Sequence, residues 1–357
     1  MGHDVFVSTT NSDMYKRLDV STNIWTSLDG FQVKYYNETI VDNLSFPLLL
    51  NLKHDLALAD VVHIQAIFNT PTPVALRQAK KLNKPILLSP RGVLGDWIMG
   101  NGNPFKWCWL KVFIRPYASY IHWHATSEQE KDEILTHYPD ARVHVIPNGI
   151  DKEKIQQEIE SADQSIFESY ANKKIEGPVI VSMGRIHAKK GYDILIKSFQ
   201  QLLQDFPKAL LFIAGQDEGE QRKLEYLIKK QGLKGQVFFT GALDRKEKIN
   251  FLAHADLFAL PSHNENFGNV YLESLACGTP IVASTHTPWK EVTDYNCGLW
   301  VENTQNEFYY AMKAILENPA IYTKENCLKL ADKYSWQSIG QMFSDTFQKM
   351  LSTGTKE

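Results

Sequence analysis

Closely spaced cysteines are missing. The 357 residues hold four, Cys108, Cys277, Cys297 and Cys327, and no two stand as C-x-x-C, which argues against a zinc site or a disulfide framework and fits a reducing compartment. An excess of positive charge is missing too. With 38 basic and 41 acidic side chains the chain has no field for a polyanion, so nucleic acid is not an expected partner. The longest apolar run, FPLLLNL at 46–52, falls far short of the ~20 residues that a spanning helix needs. The opening MGHDVFVSTT lacks the basic start and apolar core of a secretory signal, which leaves the cytoplasm as the expected location. There is no repeat of solenoid period and no low-complexity tract. No G-x-G-x-x-G follows a first strand, which removes the fingerprint of an NAD-dependent dehydrogenase.

What is present is the composition of a soluble globular protein, 43% hydrophobic and 22% charged, with a length that predicts two domains. Short apolar runs alternate with helical periodicity in two series. HDVFVST (3–9), VVHIQA (61–66), PILLSP (85–90), YIHWHATS (120–127) and RVHVIP (142–147) read as strands, with helix-like TPVALRQAKKLN and SEQEKDEILTHY between them. A second series follows in PVIVSMG (178–184), KALLFIAG (208–215), QVFFTGA (236–242), DLFALPS (256–262) and PIVAS (280–284). The polar stretch DKEKIQQEIESADQSIFESYANKKIEG between them reads as the junction, giving an α/β chain with domains at 1–160 and 161–335, each doubly wound. Such sheets bind ligands at the carboxyl ends of their strands, and two of them leave a cleft for one.

The second series carries the chemistry. MGRIHAKKGYDIL follows its first strand: Gly184 permits a tight turn, Arg185 and Lys190 supply cations, and Gly191 opens a helix whose N-terminus favours anions. A diphosphate suits this cradle; solvated loop charges are the alternative. In PSHNENFGNVYLESLACG a second helix starts near Val270, after a loop through Phe267, Gly268 and Asn269. Glu265 stands before that helix and Glu273 one turn inside it. Eight residues span about 12 Å along a helix, too far for a close acid–base pair, so the acids are expected to grip opposite ends of one elongated ligand. A carboxylate beside a diphosphate is tolerable where it accepts hydroxyl hydrogen bonds, and a nucleotide sugar offers both.

In their order and spacing, GRIHAKKG, VIPNGID, FTGAL, ADLFALPSHNENFGNVYLESLACGTPIVAS and CGLWV resemble the retaining nucleotide-sugar glycosyltransferases of family 4, which have the GT-B fold. The resemblance implies that Arg185 and Lys190 bind the donor diphosphate, with the backbone from Phe267 to Val270 facing it, and that no metal or other cofactor is needed. It implies that Glu265 contacts the donor sugar and Glu273 the nucleotide ribose. It also implies that DKYSWQSIGQMFSDTFQKML begins a closing helix, 336–357, which crosses back onto the first domain. MGHDVFV matches the second strand of such a fold, so the first domain is expected to lack its first strand-helix unit.

On the acceptor side many family members carry a histidine where this chain reads RGVLGDWIMG. Arg91 and Gly92 resemble a subgroup with S-P-R-G-x-L and are candidate cleft residues, with local bridging by Arg91 as the alternative. His122 and His124 share a strand face, but no third ligand stands at metal-site spacing, so a packed or cleft-lining pair is expected. FKWCWLKVFIRPY (105–117) mixes aromatics with Lys106, Lys111 and Arg115. That composition occurs at membrane interfaces as well as in ordinary amphipathic helices. The expectation is a glycosyltransferase moving a sugar, with retention, from a nucleotide-sugar donor to a glycan or lipid-linked hydroxyl, possible peripheral contact at the inner face of the membrane included. A GT-B nucleotide-sugar epimerase and a non-catalytic nucleotide-sugar binding protein are the alternatives.

Overall fold

A computed structural model describes residues 2–13, 16–39, 44–100, 104–160 and 165–353. Met1 at the head of MGHDVFV, residues 161–164 of the polar junction and residues 354–357 of the closing helix lie outside the described residues. Two compact units result, Met1–Pro147 with Gly340–Glu357, and Asn148–Ile339.

The first unit starts with β1 (Phe6–Thr10), two-residue strands β2 (Ser12–Asp13) and β3 (Lys16–Arg17), β4 (Trp25–Leu28), β5 (Phe31–Tyr36) and helix α1 (Phe46–Ala57). Next come β6 (Val62–Gln65), α2 (Pro71–Lys81), β7 (Ile86–Ser89), α3 (Asp96–Gly100) and α4 (Phe105–Trp109). Helix α4 runs on through a π-helical turn, Leu110–Ile114, and a 3-10 turn, Arg115–Tyr120, into β8 (Ile121–Ala125), α5 (Glu128–His137) and β9 (Arg142–Val145). The major strands form two separate sheets. In one, β5 lies between parallel β1 and antiparallel β4; the other is parallel, in the order β6-β7-β8-β9. A cavity of about 490 Å³ lies between β1 and β6, with Leu48, Leu52 and Leu56 of α1 and Ala75 of α2 in its wall. Among the described residues neither β1 nor β6 has a strand partner on that side. Asp55 of α1 ties this region together, accepting hydrogen bonds from Ser8 Oγ at 2.7 Å, Tyr36 OH at 2.6 Å and Lys34 Nζ at 3.1 Å.

The faces of the four-stranded sheet differ. Ile64, Leu88 and Trp123 point into an apolar core, whereas the opposite face carries His63, Ser89, His122, His124 and His144, with Phe343 against His63 and His124. His124 Nε2 donates to Ile146 O at 2.7 Å, which leaves Nδ1 of the neutral ring to accept from Ser89 Oγ at 2.7 Å. Ser89 in turn bonds His63 at 2.7 Å, and His122 bonds His144 at 2.9 Å.

The second unit opens with α6 (Lys152–Glu160) and α7 (Ser165–Ala171), inside the stretch read as a junction. It begins at Asn148 rather than 161 because Ile150 pairs backbone to backbone with Ser335, and because Ile155 and Phe167 are buried in this unit's core. Then follow β10 (Val179–Met183), α8 (Tyr192–Leu202), β11 (Leu210–Ala214), α9 (Gln221–Lys230), β12 (Val237–Gly241), α10 (Arg245–Ala253) and β13 (Leu257–Leu260). The unit finishes with α11 (Asn269–Cys277), β14 (Ile281–Ser284), α12 (Glu291–Asp294), β15 (Gly298–Val301), α13 (Gln305–Glu317) and α14 (Lys324–Asp332). Helix α15 (Trp336–Thr353) starts in the second unit and ends in the first. All six strands are parallel, in the order β12-β11-β10-β13-β14-β15, so the winding reverses between β10 and β13. Ligands of doubly wound sheets bind at the carboxyl ends of the two strands flanking such a reversal.

Two outcomes follow. Amides of β1, β4 and β5, in a three-stranded sheet with one edge on the cavity, should exchange with solvent faster than those of β10, β11 and β13, as hydrogen exchange read by mass spectrometry will show. The first unit should also be acid-sensitive. Burial holds His63 down to about 3 and His122 and His124 to about 4, with Arg91, Arg142 and His144 as further positive or titrating neighbours of these rings, and burial with Lys349 and Arg142 lowers His144 as well. An unfolded imidazole titrates near ~6.5, so below that pH the unfolded chain binds more protons. Stability is therefore full above the unfolded value and falls with pH down to the folded values. Denaturant midpoints between those limits should fall less steeply in His63→Gln and His124→Gln than in the parent chain.

Candidate functional site

The loop after β10 and the loop after β13 build the site. β10 is buried along nearly its whole length, so its end is fixed, and Gly184 N–H donates to Ala214 O at 2.9 Å while Tyr192 OH donates to Gly184 O at 2.9 Å. Beyond it His187 Nδ1 accepts from Lys189 N–H at 3.1 Å, starting the 3-10 turn Ala188–Lys190. Gly191 closes that turn at φ 66°, and a Cβ there would stand 2.1 Å from Pro261 O. Only glycine meets both demands. The second loop is joined to the first where His263 N–H donates to Lys189 O at 2.8 Å and Ser262 Oγ donates to the same oxygen at 3.2 Å.

This clamp brings Lys190 onto Glu265. Lys190 Nζ lies 2.5 Å from Glu265 Oε1, with the two side chains only 14% and 11% exposed. Burial first and the Glu265 charge second push up the hydroxyl pKa values of Tyr192 and Tyr271, both fully enclosed behind the pair. Arg185, in contrast, is open to solvent, and its Nη1 donates to both carboxylate oxygens of Glu218 at 2.9 and 3.0 Å.

Helix α11 supplies a second anion-favouring element. Phe267 is buried against Trp289, whose Nε1 donates to Phe267 O at 2.6 Å. Gly268 then turns the chain at φ 74°, where a Cβ would meet the Tyr271 ring at 2.7 Å. The first amides of the helix, at Asn269 and Val270, have no intrahelical acceptor. Asn269 Oδ1 accepts from Asn148 Nδ2 at 2.8 Å. Glu273, one turn in, accepts from Lys248 Nζ of α10 at 2.6 Å.

Of the residues singled out from the sequence, Gly184, Arg185, Lys190, Glu265 and Phe267 to Val270 therefore stand at the carboxyl ends of β10 and β13, and Glu273 on α11 beside α10. Arg91 and Gly92 belong to the other unit. Both have positive φ, 62° and 74°; Arg91 Nε donates to Gln65 Oε1 at 2.9 Å, and Gly92 N–H donates to Glu130 Oε1 at 2.7 Å. Glu130 also accepts from Thr126 N–H at 2.7 Å and Thr126 Oγ1 at 2.8 Å, so a buried carboxylate holds this loop in place. The partners Glu218, Lys248 and Glu130 were not foreseen: each stands on another element, and nothing in its local sequence marks it. Among the described residues no group of three His, Cys, Asp or Glu is placed to hold a metal ion.

Comparison with known proteins adds family likeness. The model "Glycosyltransferase Family 4" matches residues 1–154 and the model "Glycosyl transferases group 1" matches residues 163–333. D-inositol 3-phosphate glycosyltransferase of Xylanimonas cellulosilytica is 29% identical over 45% of this chain and 39% of its own length. Mannosylfructose-phosphate synthase of Agrobacterium fabrum is 32% identical over 45% and 37%. The GDP-mannose-dependent monoacylated alpha-(1-6)-phosphatidylinositol monomannoside mannosyltransferase of Corynebacterium glutamicum is 28% identical over 57% and 55%. The chain thus spans about half or less of the length of these curated relatives. Among solved structures, Anabaena HepE in complex with UDP superposes with TM-score 0.71 at 20% identity, covering 89% of this chain and 86% of that one. Sucrose-phosphate synthase from Thermosynechococcus elongatus gives 0.72 at 19%, covering 99% and 90%. These likenesses show the fold.

Removing one partner of the enclosed pair strands the other. Lys190→Ala should destabilise the second unit by about 3 kcal/mol, and Glu265→Ala added to it should restore part of that loss, as a double-mutant cycle on denaturant midpoints will read. Glu218→Gln breaks a solvent-exposed pair and should shift the same midpoint by less than about 1 kcal/mol.

Proposed function

The chain belongs to the family 4 type of GT-B glycosyltransferases, and on that premise we propose that it moves a hexosyl group from a nucleoside diphosphate sugar to a hydroxyl acceptor with retention at the anomeric carbon. The observation that carries the reading is the gathering of Arg185, Lys190 and the N-terminus of α11 at the carboxyl ends of β10 and β13. The leaving group of such a transfer is a nucleoside diphosphate, on which negative charge grows as the glycosidic bond breaks. Two cations and a helix N-terminus answer that charge where it develops, so in this reading no metal ion is required. The family match and the UDP bound by the Anabaena neighbour support a nucleotide donor.

In this reading Glu265 serves the sugar and Glu273 the ribose. The pairs of the donor-free chain add a condition: Lys190 shares its charge between Glu265 and an incoming phosphate, and Arg185 exchanges Glu218 for it. The acceptor hydroxyl gives up its proton to a phosphate oxygen on the same face, so that no second carboxylate is needed. Arg91 and Gly92, rigidly held, shape the acceptor side. The acceptor is a glycan or lipid-linked saccharide; relatives named for D-inositol 3-phosphate and phosphatidylinositol monomannoside support a polyol or glycolipid. The reaction is placed in the cytoplasm, where nucleotide sugars are made.

The test is incubation of the purified chain with a panel of nucleotide sugars and glycolipid acceptors, following thermal shift and nucleotide release. One donor should both stabilise the chain and release nucleotide only with acceptor, and EDTA should leave the rate unchanged. Stabilisation without release points to a binding protein, and a new free nucleotide sugar to an epimerase. Arg185→Ala should raise the barrier to transfer by about 2–4 kcal/mol. Glu273→Ala should weaken nucleoside diphosphate binding, whereas Glu265→Ala should spare it and slow transfer. Equal weakening by both overturns the division of roles.

A further inference from the structure

Lys248 stands on α10, apart from the loops that carry Arg185 and Lys190, and its Nζ lies 2.6 Å from Glu273 Oε1 of α11. Both helices are fixed before either side chain is placed. At the start of α10, Asp244 Oδ1 accepts from Glu247 N–H at 2.9 Å and Glu247 Oε2 accepts from Asp244 N–H at 3.0 Å, a reciprocal cap. Ile249, Phe251 and Leu252 of α10 are buried in one core with Leu272, Leu275 and Ala276 of α11. Beyond α11, Thr279 Oγ1 donates to Leu252 O at 2.6 Å and ties the two helices at their far ends. The pair therefore bridges two rigid elements. The other cation on this face of α10, Arg245, is engaged elsewhere: its Nε donates to both carboxylate oxygens of Glu158 on α6, at 3.0 and 3.2 Å. Residues three apart are neighbours on a helix surface, so each carboxylate here has its own cation.

Such a pair does little for folding and much for recognition. The two side chains are 28% and 27% exposed, and an ion pair that water reaches adds little to stability. The ammonium holds Oε1, whereas Oε2 has no hydrogen-bond partner among the described residues. A carboxylate oxygen so placed, partly open to solvent, is ready to accept from a hydroxyl. Glu273 also follows Val270 by three residues, which sets it on a neighbouring row of α11 and about 4.5 Å further along the axis than the first amides of that helix. A nucleotide with its diphosphate on those amides lays its ribose along this flank. Without Lys248 the Glu273 side chain would be free to turn among its rotamers, and its whole charge would stand near an anionic ligand.

We propose that Lys248 is a positioning residue: it aims Glu273 at the ribose hydroxyls of the donor, and so makes the site prefer a ribonucleoside diphosphate to its 2′-deoxy counterpart. The inference rests on the reading of Glu273 as the ribose contact and adds the group that sets its aim. A 2′-deoxy nucleotide deprives an already oriented carboxylate of one donor, and a hydrogen bond to a charged group is worth about tenfold in affinity.

The experiment measures by calorimetry the affinity of the full chain for ADP, CDP, GDP and UDP, and for the 2′-deoxy counterpart of each one that binds. The parent chain should bind at least one of them about tenfold tighter than its 2′-deoxy form. That ratio is the readout, because any general repulsion between Glu273 and a diphosphate cancels in it. Lys248→Met should bring the ratio to within about twofold of unity, Lys248→Arg should restore most of it, and Glu273→Gln should lower it as far as Lys248→Met, with the double variant no lower. Thermal midpoints of the ligand-free variants should stay within about 3 °C of the parent, whereas a merely structural role for Lys248 would lower them without changing the ratio. If Glu273→Gln keeps the preference, the ribose reading of Glu273 fails and this inference with it. If Glu273→Gln loses the preference and Lys248→Met keeps it, the ribose reading stands and the inference alone is overturned. A preference lost in Lys248→Met but not regained in Lys248→Arg, a midpoint that falls with it, or a parent chain that binds none of the four nucleotides or favours none over its 2′-deoxy form overturns it as well.

Discussion

Everything at the site depends on one steric constraint: the chain at Gly191 runs so close to the carbonyl of Pro261 that no side chain fits between them. The carboxyl ends of β10 and β13 are thereby held at a fixed separation, and the backbone bond from His263 to Lys189 repeats the restraint a few residues further on. Because the two strands flank the reversal of the sheet, the loops that leave them diverge, and the clamp is what keeps them in register. A loop so held can present a charged side chain without first ordering it, which is the condition for electrostatic stabilisation that needs no reorganisation.

The pairing of cations with carboxylates follows from that rigidity. Lys190 and Glu265 are both largely enclosed, and each supplies the other's charged hydrogen-bond partner. Arg185 is not enclosed: it is bathed in solvent and its bond to Glu218 is an easily exchanged surface contact. The two cations thus differ in kind: one is a fixed charge built into the floor of the site, and the other is a movable arm.

The second unit was largely legible because its strands are buried on both faces and read as unbroken apolar runs, VIVSM, LLFIA and LFAL among them. Helices α6 and α7 were not, because Ile155 and Phe167 are the only described side chains of theirs that the core buries outright, and the partly buried Ile159, Ile166 and Tyr170 are spread among polar residues, which from sequence looks like a linker. The hairpin β4–β5 was hidden for a related reason, as WTSL is mostly exposed and offers no alternation to follow. At the site the glycines and the residues of the two loops could be found from their motifs, but Glu218, Lys248 and Glu130 are tertiary choices: a carboxylate or an ammonium group arriving from another element leaves no local mark. His122 and His124 announced a polar strand face, and only the sheet register shows that β6, β7 and β9 share it.

The split between the two sheets of the first unit has a mechanical side. Across the cavity between β1 and β6 there is no ladder of backbone bonds among the described residues; the hydrogen bonds of Asp55 fasten the three-stranded sheet to α1, and the packing of α1 on α2, with a bond of 2.9 Å between His3 Nε2 and Ser344 Oγ, holds this part to the rest. Parallel strands pulled along their length resist together, because all their bonds must shear at once, whereas a helix packed on side chains peels away piece by piece. A load applied to the amino end of this chain therefore meets its weakest joint inside one compact unit, and the unit yields in two steps, its first fifty or so residues coming off before the four-stranded sheet gives way.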